Sequence, residues 1–228
     1  LLAFLEDGSS VKALNPGWAA QTGIMAASLA ASGMTGPSSI LDGPLGVMQV
    51  FAGKVGHLAE QTATLGQMWH LPDAAYKLYP CCHYIHPFLE AIEKLMAQGL
   101  RAEQVKSITV DVAAEQAPLI CEPWARRQAP SSGYGGKWGL AYCIALMLQT
   151  GKVDVASFET APDPAVIALA QQIDWRVMDN ANFPQVFPAH VAVETTWDAS
   201  LSATIEDVCG TSKRPVNTNL IEAKFMQN

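Results

Sequence analysis

The side chains best suited to chemistry are concentrated in one short segment, from Lys77 to His86. Its sequence, K-L-Y-P-C-C-H-Y-I-H, holds a lysine, two cysteines and two histidines directly before Pro87, a residue type favoured in the first turn of a helix. Helix N-termini attract anions, because their first N–H groups lack partners within the helix. Lys77 beside such a terminus is therefore a candidate clamp for a carboxylate group.

The same segment allows two other interpretations. Zinc prefers Cys and His ligands, but adjacent Cys81 and Cys82 lack the short gap usual between zinc ligands, and no second Cys/His pair follows at zinc-site distance. We therefore predict no metal site. The alternative is a metal-binding protein that uses Cys81, Cys82, His83 and His86, and elemental analysis for zinc would test it. Free cysteines are often buried, so buried thiols with histidines that cap the helix are the structural alternative.

Two further residues are candidates on less specific patterns. Lys12 stands just before an N-P-G turn and either reaches into a cleft or lies in solvent, the commoner place for a lysine. Tyr142 follows the glycine-rich loop 131–136 on an apolar helix, where a tyrosine is more often part of the core than a proton donor. The loop lacks the ending of a phosphate loop, and the chain has no G-x-S-x-G elbow of a serine hydrolase.

Helices are the predicted elements of the first part of the chain. An alanine-rich helix is predicted from Trp18 to Ser32 and ends at Gly33, and its small side chains suit close packing between other helices. A short helix is predicted from Leu45 to Phe51. The helix after Pro87 carries one apolar stripe at helical spacing, formed by Phe88, Ile92, Leu95 and Met96.

Strands are predicted only in the later part of the chain. Residues 106–112 alternate with period two, and so do 191–197 and 201–206, which we interpret as a hairpin. Helices are predicted between these strands, over 138–150 and 164–172. This order predicts an all-α part joined near residue 75 to a smaller α+β part.

Composition limits the function classes. The 228 residues are 50% apolar and 15% charged, enough for a sizeable core, and the formal net charge of −7 argues against nucleic-acid and anionic-membrane partners. The longest apolar stretch, around Leu140 to Leu148, is far shorter than the ~20 residues of a membrane span.

The start has no signal-peptide pattern, and five cysteines without scaffold spacing favour a reduced, cytoplasmic setting. With no initiator Met, and an end inside a predicted helix, we expect a segment of a longer protein.

Taken together, several short motifs resemble the MmgE/PrpD family, whose activities include 2-methylcitrate dehydratase, cis-aconitate decarboxylase and an iminodisuccinate epimerase. The matching stretches follow one another over nearly the whole chain: Lys12–Ile24, Gly33–Pro37, Ile40–Gly43, Lys77–Pro80, Lys137–Gly151 and Phe187–Val191.

The resemblance implies a mixed α and α+β fold: an all-helical domain, only part of which is present in residues 1–75, an α+β lid domain in 76–215, and the start of a return to the helical domain in 216–228. It also implies an active site between the two domains, a homodimer, and an enzyme that needs neither metal nor organic cofactor. Family members are about twice as long as this chain. We therefore expect the isolated segment to be inactive.

The family's site residues carry over by motif. Lys12 and Lys77 match its site lysines, Tyr142 matches its site tyrosine, and His86 lies where the family often has a histidine, with His83 a further candidate for substrate binding. Asn15 stands where members commonly have histidine. Asparagine donates a hydrogen bond but does not shuttle a proton, so this departure implies altered substrate or proton handling, and the Cys-Cys-His run also departs from the decarboxylase.

The family chemistry begins with removal of a proton next to a carboxylate, which needs a base and cations that stabilise the developing charge. Loss of water then makes a dehydratase, loss of carbon dioxide a decarboxylase, and return of the proton on the other face an epimerase. Dehydration of a hydroxylated di- or tricarboxylate is our first expectation, and epimerisation of a small dicarboxylate is the second. A non-catalytic, dimerising remnant is the alternative from a different class.

Overall fold

The computed structural model describes residues 3–54, 56 and 58–227. Leu1, Leu2 and Asn228, which belong to the predicted terminal segments, lie outside the described residues. The fold is mixed, with helices and a four-stranded sheet, as predicted. The chain divides into two compact units: Val11–Asp73, here called the helical unit, and a mixed unit formed by the segment that ends at Ser10 and the chain from Ala74 onward.

Short helices outnumber long ones along the chain. The α-helices are α1 (Phe4–Asp7), α2 (Asn15–Ala31), α3 (Val47–Ala52), α4 (Leu58–Thr62), α5 (His86–Ala97), α6 (Ala117–Ile120), α7 (Trp124–Gln128), α8 (Gly133–Gly136), α9 (Leu140–Thr150), α10 (Pro164–Ala170) and α11 (Thr218–Gln227). The strands are β1 (Val105–Val112), β2 (Ile173–Val177), β3 (Ala189–Thr195) and β4 (Ser200–Ile205). Within the described ranges, no helix is both long enough and apolar enough to cross a bilayer.

In the helical unit, α2 forms where the sequence predicts it but is not packed as expected. It begins at Asn15 with a proline in its first turn and ends just before Gly33, which adopts φ +96°. None of its residues is buried, and Trp18 and Ile24 are 64% and 71% exposed. The expected close packing is therefore wrong for this chain, because no other described element of the unit covers the small side chains of α2.

The sheet of the mixed unit has the strand order β2-β1-β3-β4. β1 pairs antiparallel with β3, and β3 pairs antiparallel with β4, which confirms the predicted strand and hairpin. β2 pairs parallel with β1 and was not predicted, although its sequence, I-D-W-R-V, alternates apolar and polar residues. β2 begins directly after the predicted helix 164–172, and its five residues are too few for the alternation to be distinctive.

The core of the mixed unit lies between the sheet and two helices. α5 packs against β3, β4 and α9, and its predicted stripe is buried at Phe88, Ile92 and Leu95. In α9 every residue from Leu140 to Leu148 is buried. Burial of each large apolar side chain stabilises the fold by about 1.5–3 kcal/mol. This core therefore fixes α5, and with it the segment that begins the helix.

Candidate active site

The Lys77–His86 segment forms a loop and a 3-10 turn that lead directly into α5. The turn spans His83–Ile85, and α5 begins at His86 with Pro87 in its first turn. The Lys77 ammonium donates to the Cys81 carbonyl oxygen at 3.1 Å, and the Cys82 N–H donates to the Lys137 carbonyl oxygen at 2.9 Å. The first bond closes the loop on itself, and the second joins the loop to the connection between α8 and α9.

Three rings meet at the entrance of α5: Tyr79, His83 and His86, here called the ring cluster. The centroids of His83 and His86 are 4.8 Å apart, and those of Tyr79 and His86 are 5.1 Å apart, both edge to face. Phe187 contacts His83 with a centroid distance of 5.3 Å. The structure thus brings His83 and His86 into contact, while the Lys77 ammonium is bonded to the Cys81 carbonyl of the same segment; these are three of the six residues that the sequence assigns to the site.

Burial keeps both imidazoles of the ring cluster uncharged near neutral pH. His86 is only 1% exposed, and burial, with help from His83 and Lys77, lowers its pKa to about 3. The Cys81 carbonyl opposes this shift, yet neither ring nitrogen of His86 has a well-formed hydrogen bond to any described residue. Burial also lowers the pKa of His83, and the positive charge of Lys77 lowers it further, while Asp207 opposes the change. Neutral imidazoles can accept a proton, and the His83 side chain is less buried than that of His86, although its Nε2 atom is enclosed.

Tyr79 links the ring cluster to a carboxylate on α5. Burial raises the pKa of Tyr79, and the nearby Glu93 carboxylate raises it further. Burial also raises the pKa of Glu93. Glu93 was not predicted as a site residue, although His86, Glu90 and Glu93 stand at i, i+4 and i+7 and so share one helix face.

Two neighbouring cavities open beside Tyr79. The larger, of about 270 Å³, is lined by Tyr79, Glu93 and Lys224 among others. The smaller, of about 210 Å³, is lined by Tyr79, His86, Glu90 and Glu93 among others. Both are of a size for a small metabolite. Lys224, on the last helix, was also missed from the sequence, because no local pattern links it to the Lys77 segment.

Tyr142 lies in a different part of the mixed unit. It is 2% exposed, as the core interpretation expects. Burial raises its pKa. It lines a cavity of about 290 Å³ with Asp154 and Ser157, and neither Lys77 nor His86 is among the residues that line this cavity. The structure therefore does not bring Tyr142 into the ring cluster, and its role as a proton donor stays a prediction.

Lys12 and Asn15 belong to the helical unit. Lys12 lies in the 3-10 turn Ser10–Leu14, Asn15 is the first residue of α2, and both are exposed. Their assignment to the site stays a prediction.

The two cysteines of the segment are buried and form no disulfide bond. Cys81 and Cys82 lie in the core with Cys121 and Cys143, and burial raises the pKa of Cys121 to about 12 and also raises the pKa of Cys143. The Cys121 and Cys143 thiols are therefore poor nucleophiles, because the thiolate is the reactive form. Over the residues that the structure describes, no group of three or more His, Cys, Asp or Glu side chains is arranged to hold a metal ion.

The sequence matches known proteins over most of its length. The family model of the MmgE/PrpD N-terminal domain matches residues 1–57, and that of the C-terminal domain matches residues 79–228. A cis-aconitate decarboxylase of Aspergillus terreus (strain NIH 2624 / FGSC A1156) is 27% identical over 96% of this chain and 48% of its own length. The cis-aconitate decarboxylase-like protein oryM of Aspergillus oryzae (strain ATCC 42149 / RIB 40) is 28% identical over 65% of this chain and 33% of its own length. The chain thus spans about half the length of the first of these curated relatives. Since the C-terminal match alone covers more than half of the residues, this chain belongs to the MmgE/PrpD family.

Proposed function

We propose that the whole protein containing this chain is a cofactor-independent lyase, and that it dehydrates a hydroxylated di- or tricarboxylate of the 2-methylcitrate type. Membership of the MmgE/PrpD family supports this proposal. The observation that carries it is the position of Lys77, a cation at the entrance of α5 whose charge acts on two imidazoles of lowered pKa. A carboxylate held at Lys77 would lie next to a neutral base.

The proposed roles follow from these environments. Lys77 binds a substrate carboxylate and stabilises the negative charge that develops when the neighbouring carbon loses its proton. His83 accepts that proton, because its lowered pKa leaves the imidazole free at neutral pH. His86, with a pKa of about 3, is too weak a base for this step and instead holds His83 through their edge-to-face contact.

The remaining predicted residues complete the proposal. Lys12 supplies a further cation, Asn15 donates a hydrogen bond to the substrate, and Tyr142 gives a proton to the leaving hydroxide.

We also propose that the whole protein is a homodimer in the cytoplasm, because the family resemblance implies it. We expect turnover from the whole protein and none from the isolated 228 residues.

Decarboxylation is the second candidate, because two relatives that match 96% of this chain are named cis-aconitate decarboxylases. The same carboxylate site would serve, with carbon dioxide leaving in place of hydroxide. Two features favour a different substrate from that of the decarboxylase. Asn15 stands at a position where the family commonly has histidine, and the run Cys81-Cys82-His83 also departs from the decarboxylase. Epimerisation of a small dicarboxylate, with the proton returned on the opposite face, is the third candidate.

The test uses the intact protein with a chelator present. It is incubated separately with 2-methylcitrate, citrate, cis-aconitate and iminodisuccinate, and products are followed by NMR. We expect an alkene to form from a hydroxylated acid. Release of carbon dioxide from cis-aconitate would replace dehydration by the second candidate, and solvent exchange into iminodisuccinate without elimination would replace it by the third. Absence of any reaction on all four acids would refute the proposed function.

A further inference from the structure

The loop that joins β2 to β3, residues 178–188, brings a phenylalanine ring to His83. The ring centroids of Phe187 and His83 are 5.3 Å apart, with an angle of 76° between the ring planes. This edge-to-face arrangement is a geometry that aromatic pairs prefer. His83 also contacts His86 of α5, with a centroid distance of 4.8 Å, so its imidazole packs against rings from two separate elements.

Other rings hold Phe187 in turn. Tyr84, the residue after His83, contacts Phe187 with a centroid distance of 5.2 Å and an angle of 88°. Phe183, from the same loop, contacts Tyr84 at 5.3 Å and Phe187 at 5.4 Å. All three of these side chains are half-buried. The loop thus completes an aromatic group, formed by Tyr84, Phe183 and Phe187, that packs beside His83.

Hydrogen bonds tie the backbone of Phe187 to α5, the helix that begins at His86. The Phe187 N–H donates to the Asp207 carboxylate at 3.0 Å. The Arg214 guanidinium donates to the Asp207 carbonyl oxygen and to both carboxylate oxygens of Glu90 on α5, the latter at 2.6 and 3.1 Å. The position of Phe187 is therefore fixed through its backbone as well as through its ring.

The His83 imidazole lacks polar support at one of its nitrogens. Its Nε2 atom is enclosed and has no hydrogen-bond partner among the described residues. A histidine that takes part in proton transfer is usually oriented by a hydrogen bond to one ring nitrogen. Since no such bond forms at Nε2, the orientation of this imidazole depends on the rings that pack against it.

We propose that Phe187 is a positioning residue of the candidate site: its ring fixes the orientation of the His83 imidazole and keeps water from that part of it. This inference rests on the proposed function, in which His83 accepts the substrate proton. The charged and titratable groups near His83 are Lys77 of its own segment, His86 of α5 and Asp207 after β4. Replacement of Phe187 removes none of these groups, so its effect on His83 can be separated from theirs.

The test follows His83 directly, by NMR titration of the intact protein with isotope-labelled histidine. The His83 signal is assigned by its loss in His83→Gln, and the wild type is compared with Phe187→Ala, Phe187→Tyr and Phe183→Ala. Phe183→Ala is the control, because within the described part of the chain the Phe183 ring contacts Tyr84 and Phe187 but not His83. Thermal unfolding shows that each variant is folded, and turnover of the accepted acid is measured over the same pH range.

Phe187→Ala should raise the pKa of His83 toward its usual value of 6.5, because water that reaches the imidazole favours the charged form. The acidic limb of the pH–rate profile should move to higher pH with it, since the base must be unprotonated. We expect kcat to fall roughly threefold to tenfold, the size of one aromatic contact, with KM almost unchanged. Phe187→Tyr should recover both properties, and Phe183→Ala should titrate as the wild type does.

An unchanged His83 titration in folded Phe187→Ala, or an equal shift in Phe183→Ala, would overturn this inference and leave the proposed function intact. If Phe187→Ala does not fold, Phe187→Leu keeps an apolar side chain without a ring and should show the same changes in smaller size; a wild-type titration and kcat in that variant would also overturn the inference. Turnover that survives His83→Gln would refute the role of His83 in the proposed function, while the titration still decides whether Phe187 holds the imidazole.

Discussion

Replacement of His86 by leucine should make the protein less sensitive to acid. In the folded chain His86 has a pKa of about 3, against a usual value of 6.5. Between these two values the unfolded chain binds a proton that the folded chain does not, so stability falls as the pH decreases through this window. Leucine has a similar volume and no titrating group, so the variant loses this part of the pH dependence.

The two pKa values set the size of the effect. Above pH 7 the histidine is neutral in both states and contributes almost nothing to the pH dependence. From pH 7.5 to pH 5 the unfolded state gains about 2 kcal/mol from protonation of this one residue. For a cooperative unit of 150–250 residues, 1 kcal/mol corresponds to about 2–4 °C in the unfolding temperature, and the shift becomes smaller as the unit becomes longer. The unfolding temperature of the wild type should therefore fall by roughly 4–8 °C more than that of His86→Leu over this pH range if a unit of that size unfolds, and by proportionally less if the longer intact protein unfolds as one unit.

The assay is thermal unfolding of the intact protein at pH 7.5, 6 and 5, with the wild type, His86→Leu and the control His70→Leu. His70 is exposed in the helical unit, so its replacement should leave the pH dependence of the wild type unchanged. At pH 7.5 His86→Leu should be at least as stable as the wild type, because the imidazole is buried without well-formed hydrogen bonds. Parallel pH curves for the wild type and His86→Leu would refute the assignment of His86 as a buried, neutral histidine.

Two further predictions concern stability. The Arg214 guanidinium donates to both carboxylate oxygens of Glu90, at 2.6 and 3.1 Å, so Arg214→Met should destabilise the protein by about 1–2 kcal/mol in chemical unfolding. A double-mutant cycle with Glu90→Gln should show strong coupling, and purely additive effects would contradict the pairing. A Cβ on Gly133 would overlap the Phe158 carbonyl, so Gly133→Ala should cost about 1–3 kcal/mol. Gly17→Ala, where a Cβ meets nothing within 4 Å, should be neutral or slightly stabilising, and equal losses for both glycines would contradict the crowding at Gly133.

The local elements of the mixed unit could be predicted because their patterns are short-range. The apolar stripe at Phe88, Ile92 and Leu95 predicts the buried face of α5, and period-two alternation predicts β1 and the hairpin. β2 alternates as well, but over only five residues, which is too short a run to predict a strand on its own. The exposure of α2 could not be predicted from its alanines, because burial depends on which elements cover the helix.

The candidate site was predictable where its residues are neighbours in sequence. Lys77, His83 and His86 lie within one segment, and Pro87 identifies it as a helix entrance. The burial that makes His86 a weak base depends on packing around the ring cluster and has no sequence signature. Lys224 reaches this region only through the tertiary position of α11.

The most direct test of the central claim, that Lys77 holds the carboxylate whose neighbouring carbon is deprotonated, is turnover of the intact protein by Lys77→Ala. Turnover of the acid accepted by the wild type is followed by NMR in D₂O, beside the charge-matched control Lys106→Ala. We predict that Lys77→Ala lowers turnover and deuterium uptake at least ~10²-fold, the typical contribution of one preorganised group, while Lys106→Ala reacts as the wild type does. A loss of less than tenfold in folded Lys77→Ala would contradict the claim and make Lys77 a surface charge.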